Sequence, residues 1–561
     1  MKMKKLILIL SVIFIAYGCG EEFTTQAPQG ILADENLQNS LGVNLLLTSA
    51  YSALDGINGK GGSDWSVTGD NWWFDVIADD AHKGSTDGDQ AELFNLETFT
   101  FNTNDPYISG KWSALYSGAN RANAVINVGS AEALDGDPEV AQAVAEAYFL
   151  RGHYYFELQK IWGNPAYIDE ISFAATEFNV ANTGDIWEKI ESDFAYAKAN
   201  LAATSSDPGR PNATTATAFL GKVMLFQSKY AAALAEFNAV IASGKYGLNA
   251  DYVDNFNIAG ENSSESVFAI QFAADAGLSN NGNRGGTLNF PGGGPLNTCC
   301  GFYQPTIDLA SAFKTVAGLP MLDTYHDTPI TNDYGIASAD AFTPHAGDLD
   351  IRIDYTMGRR GVDFNGFGIN PGADWVRATP GDISGPHLGA KNHYRANELA
   401  NRGSGGWGEE RAGINYNIMR YADVLLMAAE CEVEVGSLET ARGYVNQIRT
   451  RAAASTPIDI TGATTYNVTD YTTAWNDQAI ARDAVRFERR LELAMEGHRF
   501  FDLKRWGVLK TTLDNYVLLE AVTIANFGTK AKSFGTHMVD LPIPLGAIDL
   551  SLGTLTQNTG Y

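Results

Sequence analysis

The sequence predicts a mainly α protein in which a tetratricopeptide-like helical scaffold is interrupted by one large loop-rich insertion. Three observations carry this prediction. Long stretches in both halves place apolar residues at three- and four-residue spacing, the period of a helix with one buried face. Two of those stretches repeat the same pattern of small residues. Between them, from roughly Asp251 to Gly413, the period is lost and the chain becomes rich in Gly, Asn, Pro and aromatics.

The chain opens on MKMKK and LILILSVIFIAYG, a basic segment followed by a short apolar run. This is the pattern of a secretory signal, assigned here to residues 1–18, and it is too short to span a bilayer. Cys19 follows Ala16, Tyr17 and Gly18, an order that resembles a bacterial lipobox with its usual leucine replaced by Ala16. That resemblance implies lipidation of Cys19; the plain alternative is secretion without an anchor. Residues 19–40 then read as a tether.

Residues 41–250 read as helical. NLLLTSAYSALDG, KWSALYSGANRANAVINVG, PEVAQAVAEAYFLRGHYYFELQKIW and DIWEKIESDFAYAKANL are periodic, and DGDP, SSDPGRPN and SGKYG supply turn chemistry between helices. In AFLGKVMLFQSKYAAALAEFNAVI, Gly221 precedes Ala233 by twelve, with Phe237 four later. In YADVLLMAAECEVEVGSLETARGYVNQI, Ala429 precedes Ala441 by twelve, with Val445 four later. Small residues at this spacing let two antiparallel helices approach closely, as in tetratricopeptide hairpins. Residues 251–413 form the loop-rich region, where binding groups are commonly carried. Helical periodicity resumes over residues 414–561.

Composition excludes several functions. The 561 residues carry a formal charge of −27, and removing Lys2, Lys4 and Lys5 with the signal takes it to −30. Such a body is repelled by nucleic acid and anionic lipid. The four cysteines form no CxxC, the eight histidines no HExxH, and the acids of DDAHKGSTDGDQAE do not fit a calcium loop, so no metal or cofactor is expected. No nucleophile elbow, phosphate loop or dinucleotide fingerprint is present. In FERRLELAMEGHRFFDLKRW, Glu496, Arg499, Asp502 and Arg505 alternate in sign, with Glu488 and Glu492 on the same face. Each charge has an opposite neighbour within one turn, so the stripe reads as a helix brace rather than a glycosidase pair.

Three segments, MRYADVLLMAAECEVEVGSLETARGYVNQIRTRA, VRFERRLELAMEGHRFFDLKRWG and the ending LPIPLGAIDLSLGTLTQNTGY, resemble the SusD/RagB outer-membrane lipoproteins. KWSALYSGANRANAVI and AYFLRGHYYFELQKIWGNP agree in style. The resemblance implies a SusD-like fold, surface glycan binding without catalysis, and a TonB-dependent, SusC-like transporter as partner. It also makes Glu21 and Glu22, behind Cys19, part of a surface-export signal, which would place the protein on the exterior of the outer membrane. Within the binding class, the alternative is uptake of peptides or glycopeptides. In the enzyme class it is a glycoside hydrolase using an acid such as Asp80 or Glu409, although Asp79, Asp80, Glu409 and Glu410 lack a catalytic frame.

Sugar rings present an apolar C–H face, so exposed indoles are the informative residues. Trp65 in GKGGSDWSVTGDN is flanked by Asp64 and Asn71; Trp375 sits with Arg377 in NPGADWVRATPG; Trp407 lies in GSGGWGEE. Of the adjacent Trp72 and Trp73, one is expected to pack with Ile77 and the other to be exposed. In PLNTCCGFYQP, adjacency allows a strained disulfide between Cys299 and Cys300, a small apolar plate beside Phe302 and Tyr303. Cys431 falls in an apolar helix and reads as a packing thiol. The preferred ligand is a neutral glycan such as a glucan.

Overall fold

The structure is a computed structural model that describes residues 34–56, 65–205, 207–274, 282–283, 285–294, 300–378, 381–391, 393–403, 411–459 and 462–561. Cys19, Asp64, Cys299 and Trp407 therefore lie outside the described residues. No described helix is long and apolar enough to cross a membrane.

The first half is a stack of helices. Helix α1 (Ser40–Ser52) packs on α4 (Pro106–Gly129) and α5 (Pro138–Trp162); between them lie α2 (Trp72–Ile77), strand β1 (Ala81–Gly84) and α3 (Ala91–Glu97). Both long helices begin with a proline whose missing N–H costs nothing there. Asp105 and Asp137 cap them, accepting from the backbone N–H groups of Tyr107 and Ile108 and of Glu139 and Val140. A short α6 (Glu170–Ala174) and then α7 (Trp187–Asn200) follow, α7 packing on α5 and on α8 (Ala213–Phe226), which pairs with α9 (Tyr230–Ser243).

The α8–α9 hairpin follows the predicted spacing. A Cβ on Gly221 would lie 2.8 Å from the Phe237 ring, so glycine is what permits the approach. In the second half, α10 (Tyr421–Val435) and α11 (Leu438–Ala454) make the matching hairpin, with Ala429, Ala441 and Val445 all buried. Although far apart in sequence, the two hairpins touch through α9 and α10.

Two strands close the insertion between them. Strand β2 (Ser266–Ile270) pairs antiparallel with β4 (Tyr416–Arg420), so the chain leaves and re-enters the scaffold at one place. Inside the insertion, β3 (Phe302–Pro305) reaches back to pair with β1. The chain finishes with α12 (Gln478–Leu493), α13 (Arg499–Arg505), α14 (Leu509–Glu520) and α15 (Leu545–Leu550).

The charge stripe is structural and braces against its surroundings, with one correction: its charges are mostly not paired within one turn, because residues 494–498 separate α12 from α13 and most partners come from elsewhere. Glu488 meets Arg449 and Arg352, Glu492 meets Arg420, Arg451 and Arg352, and Glu496 meets Arg420 and Lys391. Arg499 holds Asp79, and Arg505 reaches Glu430 as well as Asp502. Only this last pair is local.

Candidate functional site

Four chain segments meet beside the β1–β3 pair. Beyond β1 the chain turns through Ser85–Gln90, and Lys83 organises that turn by donating from Nζ to the carbonyls of Gly84, Thr86 and Asp89 at 2.8–2.9 Å. Burial pushes the Lys83 ammonium down to about 8. Before β3, Gly301 accepts from the Ser85 N–H and donates to Phe290, which locks the Cys300–Gly301 corner to the turn. The third segment, residues 372–378, crosses close above: a Cβ on Gly301 (φ +75°) or Gly292 would meet the Arg377 Cβ at 2.7 Å.

The fourth segment carries Trp65. Its indole Nε1 donates to the Gln90 side-chain oxygen at 3.0 Å, which also accepts from the Tyr107 hydroxyl at 2.9 Å. Next to Gln90, Asp89 accepts from Arg377 at 2.9 Å and from Ser85 at 3.1 Å, while Arg377 also donates to the Cys300 carbonyl at 3.1 Å. Trp375, two residues earlier, leans edge-on against Phe364 and is half-buried, as are Trp65 and Arg377. The Trp65 indole is thereby tied to the turn through Gln90, and the segment carrying Trp375 is tied to it through Arg377 and Asp89. Backbone strain concentrates here: of thirteen non-glycine residues at positive φ among those described, Asn71, Ser85, Gln90 and Tyr303 belong to these segments. Strain of this kind persists where surrounding structure imposes it, and it clusters at functional sites.

The other expected ligand contacts are corrected. Trp72 and Trp73 are 1% and 0% exposed; their indole N–H groups bond the carbonyls of Trp65 and Ser66, and neither faces solvent. Tyr303, 4% exposed, donates its hydroxyl to Asp75 at 2.6 Å and stands edge-on to Trp72. Burial, reinforced by Asp80, pushes the Asp75 carboxyl up to about 8. Asn71 is also buried, donating to Glu157 at 2.8 Å. These four support the platform from below. Asp79 and Asp80 are pinned by Arg490, with Arg499 also gripping Asp79, an arrangement of structural ion pairs. Cys300 is disulfide-bonded and Cys431 is a buried free thiol whose pKa burial pushes up.

Asp89 and Gln90 escaped the sequence reading. They lie in DDAHKGSTDGDQAE, where clustered acids drew attention to metal rather than to hydrogen bonding across a turn. Among the described residues no cluster of metal ligands exists.

Residues 264–561 match the SusD family, and residues 65–225 match a second family described as starch-binding associating with outer membrane. The chain belongs to the SusD family. It is 27% identical to the SusD-like protein P25 of Formosa agariphila over the full length of both chains. Among solved structures, a SusD-like protein from Bacteroides fragilis superposes with TM-score 0.70 at 21% identity, covering 96% of this chain and all of that one. The surface glycan-binding protein A of Bacteroides thetaiotaomicron, solved with laminarihexaose, superposes with TM-score 0.64 at 21% identity, covering 92% and 98%. The mainly α SusD-like fold expected from sequence is the fold observed, and the candidate platform spans both matched regions of this SusD-family chain.

Proposed function

We propose that the protein is a lipid-anchored, outward-facing glycan-binding protein that captures oligosaccharides and passes them to a SusC-like, TonB-dependent transporter. The observation that carries this reading is the pair Trp65 and Trp375, each half-buried, with Trp65 bonded to Gln90 of one turn and the Trp375 segment joined to that turn by the Arg377–Asp89 pair. Flat indoles supply area against sugar C–H faces, and the surrounding carboxylate, amide and guanidinium suit a hydroxyl rim. Cys300 is only 3% exposed, so it lies beneath this surface rather than adding the expected apolar plate to it. A neutral glucan is favoured by the charge of −27, by the family description naming starch, and by the fold neighbour solved with laminarihexaose, an uncharged gluco-oligosaccharide. Lipidation at Cys19 would hold the body at the outer membrane. No step of catalysis is assigned: Asp79 and Asp80 are committed to Arg490 and Arg499, and Asp75 lies fully buried, bonded to the Tyr303 hydroxyl and the Gly497 N–H.

Isothermal titration of the soluble body against neutral and acidic oligosaccharides, and against peptides, tests this. Heat with one neutral glycan is expected, the glycan being recovered intact, with affinity falling about tenfold in Trp65→Ala or Trp375→Ala, near 1.4 kcal/mol. Heat with peptides alone overturns the glycan reading and removes the assigned role of both tryptophans.

A further inference from the structure

Lys83 stands on β1, 1% exposed, at the head of the turn that carries Asp89 and Gln90. Its Nζ donates to the carbonyl of Gly84 at 2.9 Å and to those of Thr86 and Asp89 at 2.8 Å, with the Phe302 ring of β3 4.8 Å away. Among the described residues, none of its hydrogen-bond acceptors is a carboxylate. An ammonium has three N–H groups and no lone pair, so it satisfies three acceptors at once. A neutral amine has two N–H groups, and its lone pair would be turned on the third carbonyl oxygen. The cage is therefore built for the charged form.

We propose that Lys83 is a positioning residue of the glycan platform, and that the platform binds its ligand only while this ammonium is charged. The inference rests on the function proposed above. The turn is not one that its residues adopt unaided: Ser85 and Gln90, at its two ends, hold φ of +57° and +52°. A side chain with a Cβ is disfavoured there and stays only where contacts impose it. Lys83 supplies such contacts from inside, drawing the carbonyls of Thr86 and Asp89 onto one nitrogen. The Asp89 carboxylate takes Arg377, and Gln90, the next residue, holds the Trp65 indole. Loss of the third proton releases one carbonyl and loosens both links without touching either tryptophan.

This charge lies within reach of solution pH. Burial disfavours the ammonium and brings Lys83 down to about 8, against the opposing pull of Glu97 on α3, Asp89 and Asp87 in the turn, and Asp382. These carboxylates face other cations as well: Glu97 bonds His82, Asp87 pairs with Lys530, and Asp89 with Arg377. Because ligand selects the charged form, affinity is full well below pH 8 and falls as pH rises through it. One unit above, only about one molecule in eleven is competent, so apparent affinity is about tenfold lower. By the same linkage, binding at pH 8 takes up about half a proton.

The test is titration calorimetry of the soluble body with laminarihexaose and maltohexaose from pH 6.5 to pH 9.5, in buffers of different ionisation enthalpy. Wild type is expected to bind about tenfold more weakly at pH 9 than at pH 7, with about half a proton taken up per ligand at pH 8. Lys83→Arg, charged throughout, and Lys83→Met, never charged, are expected to lose this pH dependence. Lys83→Met should also bind at least about tenfold more weakly than wild type at pH 7. Asp75 and His82 titrate nearby, so the alkaline fall is expected to persist in Asp75→Asn and in His82→Gln. Wild-type affinity that is flat from pH 7 to pH 9, or a fall that survives in Lys83→Arg, overturns the proposal. Absence of heat with either hexasaccharide at pH 7 overturns the neutral-glucan reading, and hydrogen exchange of the free protein then decides the role of Lys83. The N–H groups of Ser85, Asp87 and Asp89 bond Gly301, Asp382 and Thr86. Their protection, corrected for intrinsic exchange, is expected to fall about tenfold from pH 7 to pH 9 in wild type and to stay level in Lys83→Arg. Level protection in wild type overturns the proposal.

Discussion

In the paired hairpins, position is set by side chain against side chain; around the platform it is set by hydrogen-bond donors against carbonyl oxygens. Gly221 admits the Phe237 ring, and Ala233, Ala429 and Ala441 lie buried at the equivalent crossings. By contrast, the turn at Ser85–Gln90 is held by Lys83 reaching three carbonyls, by Ser85 bonding Gly301, and by Arg377 bonding Cys300. The difference teaches where each region is vulnerable. Close packing fails when volume changes, whereas a turn assembled from hydrogen bonds fails when one donor is lost or one charge is neutralised.

Between the two regions sits the buried ion cluster, and the largest effect is expected there. Arg420 donates to Glu265, Glu492 and Glu496, all buried, at the point where β4 re-enters the scaffold. Arg420→Met leaves three carboxylates without that partner, and removal of one side of a buried pair costs about 3–5 kcal/mol. Urea unfolding should show a loss of this size; a loss under about 1 kcal/mol would mean that Arg451, Arg352 and Lys391 suffice. Just below stands Trp73→Ala, at about 3–5 kcal/mol for emptying a fully buried indole site. Trp65→Ala, in the same segment but half-buried, should leave the unfolding midpoint almost unchanged while weakening oligosaccharide binding. Equal destabilisation by both would make Trp65 a core residue.

A third effect is tied to pH. His82 on β1 lies between Glu97 and Glu520, bonding both at 2.8–2.9 Å. Burial alone would push its pKa down, but the hydrogen bonds and charges of Glu520 and Glu97 carry it up to about 9. A folded pKa above the ordinary 6.5 means that this stabilisation is fully present below about pH 6.5 and is lost as pH rises through 9. The two and a half units correspond to about 3 kcal/mol. The stability gap between wild type and His82→Gln should therefore shrink by about that much from pH 6 to pH 10. A gap that does not change with pH would show that the ring is neutral throughout.

What the sequence made legible follows the same division. Helical period and small-residue spacing exposed the hairpins, because both are local consequences of one face being buried. Trp65 and Trp375 stood out because glycine-rich loops give a large ring little to pack on. Trp72 and Trp73 differ from expectation because adjacent residues in a helix point in different directions, which suggests one exposed ring, whereas this short helix is buried on all sides. The charge stripe looked local because sequence displays neighbours at three and four residues, while Arg352, Arg420 and Arg449 arrive from distant segments. Asp89 and Gln90 gave no signal, since their role exists only once Arg377 and Trp65, from distant segments, reach the turn.

The smallest expected effect on stability is the sharpest test of the platform. Arg377 and Asp89 have side chains 39% and 32% exposed, and solvent-screened pairs of this kind contribute about 0–1 kcal/mol. Arg377→Gln should therefore move the urea midpoint little. Yet Arg377 is the link that fixes Trp375 relative to the turn bearing Trp65, through Asp89 on one side and the Cys300 carbonyl on the other. Loosening it should cost oligosaccharide affinity about fivefold, near 1 kcal/mol, seen in the same titration that assigns the ligand. Affinity unchanged beside a normal midpoint would mean that each tryptophan acts alone. A large fall in stability would instead make the pair a structural strut, and the division between scaffold and platform would have to be redrawn at residue 377.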